Sequence, residues 1–388
     1  MFDLQKLDAL SAFTLRIGED DVQHWTEIEL EQSIDGFSSV GFTAPFEPSR
    51  KAFRERFRPF SYAPIAVLLG GHQLQFTGTL HSVDPTFTTE ERSVRVQAVA
   101  LPTAICDSTV PGNFGAKEFS GLKLEDIANE LCKPFGFAAR FADERSTFID
   151  TDANGELERD RSSKKSIQRR IESAFDIRFG RVKCGKEDKI FDFLCRLSKQ
   201  RGVVMTDSPT GDLVFQRSAQ LGRPVVHLEE GIPPLLSVTP QFNSREFYSE
   251  VTAVVPAKRG RKAGSFTLKN PFMNDAGTIR PFTYRAEDTD VGGAPQTAAA
   301  FMGRMFGEAV SWDIELPTIV DPRGEYFRPN TTLTITAPSA MIYGKHELLI
   351  RGVTKRQTKD STTCKLNVVL PGSFSGEIPA RLPWQEPL

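Results

Sequence analysis

Apolar and polar side chains alternate with a period of two along most of the first hundred residues. Phe13-Thr14-Leu15-Arg16-Ile17 predicts a strand with one buried face. Val22 to Ile34 mixes the two classes and predicts a further strand pair. Ile65-Ala66-Val67-Leu68-Leu69 is a continuous apolar run ended by Gly70-Gly71, and Leu74 to Leu80 and Val94 to Val99 alternate again. Strands separated by a Gly-rich turn predict a small barrel or sandwich. No strand–GxGxxG–helix unit occurs, which excludes a dinucleotide-binding βαβ unit.

Between 103 and 225 the period changes. Leu124, Ile127, Ala128, Leu131 and Cys132 recur at three and four and predict a helix stopped by Pro134 and Gly136. A second helix is expected over about Lys186 to Arg201, striped by Ile190, Phe191, Leu194 and Leu197 and capped by Gly202. Val203 to Thr206 and Leu213 to Phe215 flank a turn with Pro209 and Gly211, a hairpin signature.

From 226 the strand pattern returns. Val225 to Leu228, Leu235 to Thr239, Tyr248 to Val255, Ser311 to Leu316, Thr332 to Ile335, Glu347 to Ile350 and Cys364 to Val368 are strand candidates, and Pro295 to Ala309 predicts a helix. Residues 256–296 are rich in Gly, Pro and charge and read as a long irregular connection, of a length that marks a binding or assembly segment. The expected fold class is therefore mainly β with an α+β insert. A first barrel-like unit spans 1–102, the insert 103–225, a similar second barrel-like unit 226–373, and an extended tail 374–388.

Composition narrows the function. The 388 residues carry 48 Lys plus Arg against 50 Asp plus Glu, a balance unlike that of a dedicated nucleic-acid binder. No apolar run reaches the length of a membrane span, and the opening MFDLQKLDAL, with early acids, is unlike a secretory signal. The five cysteines are far apart and predict reduced thiols in a chain made in a cytoplasm. Five histidines leave little material for metal or acid–base chemistry. There is no GxSxG; Cys195 falls within a helical stripe as a structural thiol, and His72 and His81 read as turn histidines. Asp150, Asp152, Asn154 and Glu156 alternate around Gly155, but Arg161 stands where a calcium loop needs its last acid. No catalytic, cofactor or metal residue is expected.

Two basic stretches remain. Glu156 to Arg170 holds Arg159, Arg161, Lys164, Lys165, Arg169 and Arg170 against three acids, and Ile167, Ile171 and Phe175 at spacing four give a thin apolar line. It reads as a solvated loop and short helix, or as a contact for an acidic protein; no aromatic residue interleaves as a base-stacking platform requires. The second is Lys258-Arg259-Gly260-Arg261-Lys262. Lys258, Arg259, Arg261, Lys262, Lys164, Lys165, Arg169 and Arg170 are the candidate interface residues.

Four stretches, in order, carry a family resemblance. Leu69-Gly70-Gly71 through Leu74, Phe76, Thr77, Gly78 and Leu80 is one, and Phe119 to Ala128 with Leu131 to Gly136 is the next. Phe191 to Val203 with Gly211 to Phe215 follows, then Asp321-Pro322-Arg323-Gly324, Pro329-Asn330 and Glu347 to Val353. Over about residues 10–373 the chain resembles the Mu-type baseplate hub proteins of contractile-tailed phages. That family is similar to the T4-type hub and to the N-terminal part of type VI secretion spike proteins. It departs at Gly185-Lys186-Glu187-Asp188, where the family usually starts with Glu, and in a longer, more basic 151–180. The resemblance implies a structural virion protein of the tail baseplate, synthesised in the host cytoplasm. It implies a homotrimer whose two barrels per subunit make a pseudo-sixfold ring between the tail tube and the central spike, among other baseplate proteins. No catalytic or cofactor residue belongs to that pattern, and from the charge balance and the short apolar runs neither specific nucleic-acid recognition nor a membrane-spanning segment is expected. The alternatives are a distal tail protein of a long-tailed phage and, from another class, a tail-associated cell-wall hydrolase.

Overall fold

The computed structural model describes residues 10–22, 24–89, 92–111, 117–142, 178–179, 181–218, 223–257, 263–273, 278–286 and 294–385. The fold is mostly β. In the first part the strands are β1 (Phe13–Ile17), β2 (Asp20–Val22), β3 (Glu27–Ser33), β4 (Ser39–Pro45), β5 (Pro64–Leu69), β6 (Gln73–Phe87) and β7 (Arg92–Ala100), with helix α1 (Lys51–Arg56) before β5. Alternation is the cause: Phe13, Leu15 and Ile17 of β1 and Val94, Val96 and Ala98 of β7 all face one buried side. Gly70 and Gly71 turn β5 into β6 at positive φ, 59° and 76°, which a side-chain-bearing residue resists. Within β6 a Cβ on Gly78 would run into the carbonyl of Val99 on β7 and the ring of Phe76.

The middle part has its own core. Helices α2 (Ala104–Asp107), α3 (Leu124–Cys132) and α4 (Ile190–Gln200) pack with β8 (Lys117–Ser120), β9 (Ala139–Phe141), β10 (Arg181–Cys184), β11 (Val204–Asp207) and β12 (Leu213–Gln216). Ile127, Leu131, Phe193, Leu194 and Leu197 supply the facing helix stripes. Helix α4 starts at Ile190, later than the sequence pattern placed it, because Gly185 to Asp188 form a turn closed by Asp188 accepting from Gly185 N.

The last part contains β13 (His227–Glu229), β14 (Ser237–Phe242), β15 (Glu250–Val255), β16 (Gly264–Lys269), β17 (Pro281–Arg285), helix α5 (Ala294–Ala309), β18 (Val310–Leu316), β19 (Thr332–Ala337), β20 (Ile342–Thr358) and β21 (Thr362–Val369). Two expectations are corrected here. The stretch 256–296 is not irregular throughout, because β16 and β17 flank β15 in a three-stranded sheet. Nor is 374–388 a loose tail in its described part: Phe374 and Leu382 are buried, and Trp384 packs on Phe242 at 5.1 Å between ring centroids. Small residues on α5 allow the close approach, since a Cβ on Gly303 would lie 2.6 Å from the Ser373 carbonyl oxygen.

The first and last parts share one sheet. Its strands run β14-β18-β21-β20-β3-β4-β7-β6-β5-β1-β2, with β19 on β20 and β13 on β19. Within it the path β3-β4-β7-β6-β5-β1 repeats as β14-β18-β21-β20-β19-β13, in the same chain order. The correspondence extends to register. β6 slips between Leu80 and Ser82 against β7, and β20 slips between Ile350 and Gly352 against β21. Aligning the two slips places Val40 with Trp312, Phe42 with Ile314, Ala98 with Val368 and Val96 with Leu366, in identical pairings. One difference is that β1 runs antiparallel to β5, whereas β13 runs parallel to β19. The two repeats share a continuous core that includes Leu15, Phe42 and Phe76 of one and Trp312, Ile314 and Leu366 of the other. Fully buried aromatic and aliphatic side chains such as these each contribute about 1.5–3 kcal/mol.

Candidate functional site

The seam between the repeats is the β20–β3 pairing, antiparallel from Gly352 opposite Ser33 to Thr358 opposite Glu27. Its inner side is closed by apolar residues and one ammonium. Ile28, Leu30 and Val353 are buried there, and Lys355 is 0% exposed beside them. Lys355 Nζ donates to Gln32 Oε1 at 2.7 Å and to Gln75 Oε1 at 3.4 Å, which replaces part of its lost hydration. Burial still pushes its pKa down to about 8, and pushes the thiol of Cys364, opposite it on β21, up to about 12.

The seam ends in an ion pair. Arg351 donates to both carboxylate oxygens of Asp35, at 3.2 and 2.8 Å. Burial raises the Asp35 pKa, but the guanidinium's hydrogen bonds and charge outweigh it and leave the group below its ordinary value. Arg351 also lies over the Phe374 ring, 5.2 Å from its centroid, so the seam and the C-terminal turn share a residue.

The outer face of the sheet is polar and charged. Arg356 bridges Glu27 at 2.6 Å and approaches Glu29 at 3.9 Å; Lys365 bridges Asp313 at 2.8 Å. Asp313 also accepts from Gln241 and Asn367. A groove of about 340 Å³ runs across this face, lined by Glu29, Thr239, Asp313, Glu315, Arg356 and Lys365. Glu29 is raised by its partial burial and by repulsion from Glu31 beside it. These contacts hold the strands together laterally; they converge on no reacting centre. Among the described residues no group of His, Cys, Asp and Glu has the arrangement of a metal site.

The middle part is fastened beside the seam. Asp207 accepts from Ser38 N at 2.6 Å, Thr206 Oγ1 donates to the Ser33 carbonyl at 2.7 Å, and Phe37 meets Phe191 edge-on at 5.5 Å. Burial raises the Asp207 pKa despite the Ser38 bond.

The eight candidate interface residues at 164–170 and 258–262 lie outside the described residues, as does the Asp150 to Glu156 run. His72 Nδ1 lies 2.7 Å from the Gly70 carbonyl oxygen, inside its turn. Cys195 is half-buried on α4, and all five cysteines are free. Sequence reasoning missed the seam itself. It ended one strand at Leu80 and another at Ile350, where His81 and Arg351 each shift the alternation by one.

The chain is similar, at 23% identity over 85% of its length and 80% of the other's, to the baseplate hub protein gp44 of Escherichia phage Mu. Its fold matches the 43 kDa tail protein of prophage MuSo2 from Shewanella oneidensis, with TM-score 0.70 and 19% identity over 93% of this chain and 98% of that one. It also matches the E. coli c3393 protein, described as a component of the type VI secretion system with structural similarity to T4 bacteriophage tail proteins gp27 and gp5. That likeness has TM-score 0.52 and 10% identity, over 94% of this chain and 79% of the other. No protein-family model matches.

Proposed function

We propose that this chain is a structural baseplate hub protein of a contractile phage tail, located in the virion. Three copies would form a ring of six like repeats between a sixfold tail tube and a threefold central spike. The observation that carries this reading is the internal repeat: one chain holds two units of the same strand order and register in one sheet. A threefold ring of such chains presents six similar units to one neighbour and three chains to the other, which resolves the symmetry mismatch. The similarity to the Mu hub protein supports the same role. In this reading the charged sheet face and the grooves on it are scaffolding, and the chain does no catalysis.

The division into two barrel-like units around an α+β insert, at 1–102, 103–225 and 226–373, belongs to the same proposal. So does the role of Lys258, Arg259, Arg261 and Lys262, with Lys164, Lys165, Arg169 and Arg170, as contacts for acidic neighbours in the baseplate. The test is reconstitution with the tube and spike proteins encoded for the same tail. Co-elution of the chain with both partners is expected; a chain that binds neither would overturn the hub role.

A further inference from the structure

The two repeats differ at one corner. In each, a connection leads into the strand beside the early half of the long one: Phe57 to Ala63 before β5, and Phe327 to Thr331 before β19. Leu80 N donates to Ala63 O and Ile350 N to Thr331 O, so Ala63 corresponds to Thr331 and Tyr62 to Asn330. Phe57-Arg58-Pro59 recurs as Phe327-Arg328-Pro329, with both phenylalanines buried. The first corner therefore departs from the second by two extra residues, Phe60-Ser61, and by Tyr62 in place of an asparagine.

Both departures add an exposed aromatic ring. Phe60 is 88% exposed and Tyr62 62%. Both also lie in the left-handed region, at φ 58° and 48°. Asn330 lies there too, at φ 63°, but asparagine tolerates that conformation and bulky side chains resist it. The first corner thus carries two costs, aromatic rings in water and a disfavoured backbone. Such costs collect where a surface meets a partner.

The second corner shows what covers such a place. Asn330 Nδ2 donates to the Arg217 carbonyl at 2.9 Å and to Gln216 Oε1 at 3.2 Å. The end of β12 closes that corner from within the chain. At the first corner the exposure of Phe60 and Tyr62 shows that no described segment takes this place.

We propose that the Phe60–Tyr62 corner is a docking point for a second protein of the tail, one that offers an apolar pocket with an acidic rim. The inference rests on the tail reading above and adds a contact made once per chain, since only one of the two repeats carries it.

Charge sets the rim. From Glu47 to Tyr62 five Lys and Arg stand against two Glu, in a chain whose net charge is -2. Arg50, Lys51 and Arg56 are paired with Glu47, Glu55 and Asp20. Arg54 instead donates to the carbonyls of Pro48 and Ser49, which do not cancel its charge, and Arg58 is exposed. These two guanidinium groups suit carboxylates on a partner.

Packing from below sets the pocket. Phe57 rests on Phe42, Phe46 and Phe53, with ring centroids 6.4, 6.3 and 6.3 Å away. Past the corner, Gly18 N donates to Pro64 O and pins the start of β5. Two rings held in set directions on such a base fit a shaped pocket, whereas a lipid surface asks for no set direction. Phe, Tyr and Arg are the residue types enriched at the cores of protein interfaces.

Photo-crosslinking in assembled tails tests the assignment. With p-benzoylphenylalanine in place of Phe60 in the full chain, irradiation is expected to join the chain to a different tail protein, at a peptide with more Asp and Glu than Lys and Arg. An adduct only to another copy of this chain, an adduct at a basic peptide, or none in tails that contain the chain would overturn the docking point and leave the hub role standing. Tails that assemble without the chain would overturn both. Sedimentation with phosphatidylglycerol vesicles is the lipid arm: binding that depends on Phe60 and Tyr62 would assign the corner to a membrane and overturn the proposal. The variant F60G/Y62N separates docking from folding. Glycine and asparagine tolerate positive φ, so its thermal midpoint should equal or exceed that of the wild type, while its affinity for the cross-linked protein falls at least tenfold. A lower midpoint would show that the rings serve the fold, and unchanged affinity would contradict the docking point.

Discussion

Lys355 Nζ and Gln32 Oε1 lie 2.7 Å apart across the seam between the two repeats, with the lysine fully buried. An ammonium in that position is a cost to folding, partly offset by two glutamine oxygens, and it sits where the two repeats must register. The cost depends on pH. The folded-state pKa is about 8 against 10.5 for the free side chain. Between these values the unfolded chain binds the proton and the folded chain does not, so stability rises as pH increases through this window. Below pH 8 the penalty is fully present.

The Lys355 contribution is separable from that of the cysteines. Raised thiol pKa values at Cys132 and Cys364 act the opposite way and lower stability above about pH 9. Urea unfolding of the wild type and of K355M, compared at pH 7 and pH 9, isolates the lysine. The wild type should gain on the variant by roughly 1 kcal/mol between these pH values, within the limit set by one pKa unit per 1.4 kcal/mol. A constant difference would show that the lysine reaches solvent.

The Arg351–Asp35 pair predicts an acid dependence of the other sign. The Asp35 pKa is lowered in the folded chain, so its stabilisation is present above the free value of 3.8 and is lost as pH falls through the folded value. D35N should cost about 1–3 kcal/mol at pH 7. At pH 2 its stability should approach that of the wild type. Chemical denaturation at the two pH values checks it, and a penalty unchanged at pH 2 would contradict the ion pair's role.

Helix α5 meets the C-terminal turn with no room for a side chain at Gly303. G303L should displace residues 373–376 at a cost of about 1–3 kcal/mol or more from overpacking. Limited proteolysis should then cut near Pro371 to Glu377 in the folded variant and leave the wild type intact there. Equal resistance would show that the turn shifts without detaching.

Much of the strand content is legible in the sequence because each strand buries one face: β1, β7, β18 and β21 follow the alternation. The seam and its counterparts in the other repeat, the late half of β6 and strand β14, are not legible, for three physical reasons. His81 and Arg351 insert one residue and flip the faces, so the alternation breaks mid-strand. Lys355 occupies a core position that a polar residue normally marks as exposed. Pro85 and Pro240 argue against strands, whereas prolines are tolerated at edges. β16 and β17 are hidden by the Gly-, Pro- and charge-rich sequence around them and bury little of their own, with Phe266 itself exposed. The tail looks loose from its prolines, yet Leu382 and Trp384 anchor it on the main core and Phe374 packs in a smaller cluster with Ile34, Val204, Leu349 and Val369.

Replacing Lys258, Arg259, Arg261 and Lys262 together with Glu should weaken attachment to the tube or to a neighbouring subunit and leave the fold intact. Exposed charges contribute about 0–1 kcal/mol per pair to folding but steer association strongly. Circular dichroism checks the fold and reconstitution checks attachment. Loss of secondary structure would place the run in the core, and unchanged assembly would remove it from the interface.

Native mass spectrometry of the purified chain tests the proposed closed ring of three chains most directly. A closed ring gives a dominant species near 130 kDa, about three times the 43.2 kDa chain, with no ladder of larger multiples. A single species at 43.2 kDa over a wide concentration range, or an open series of multimers, would contradict it.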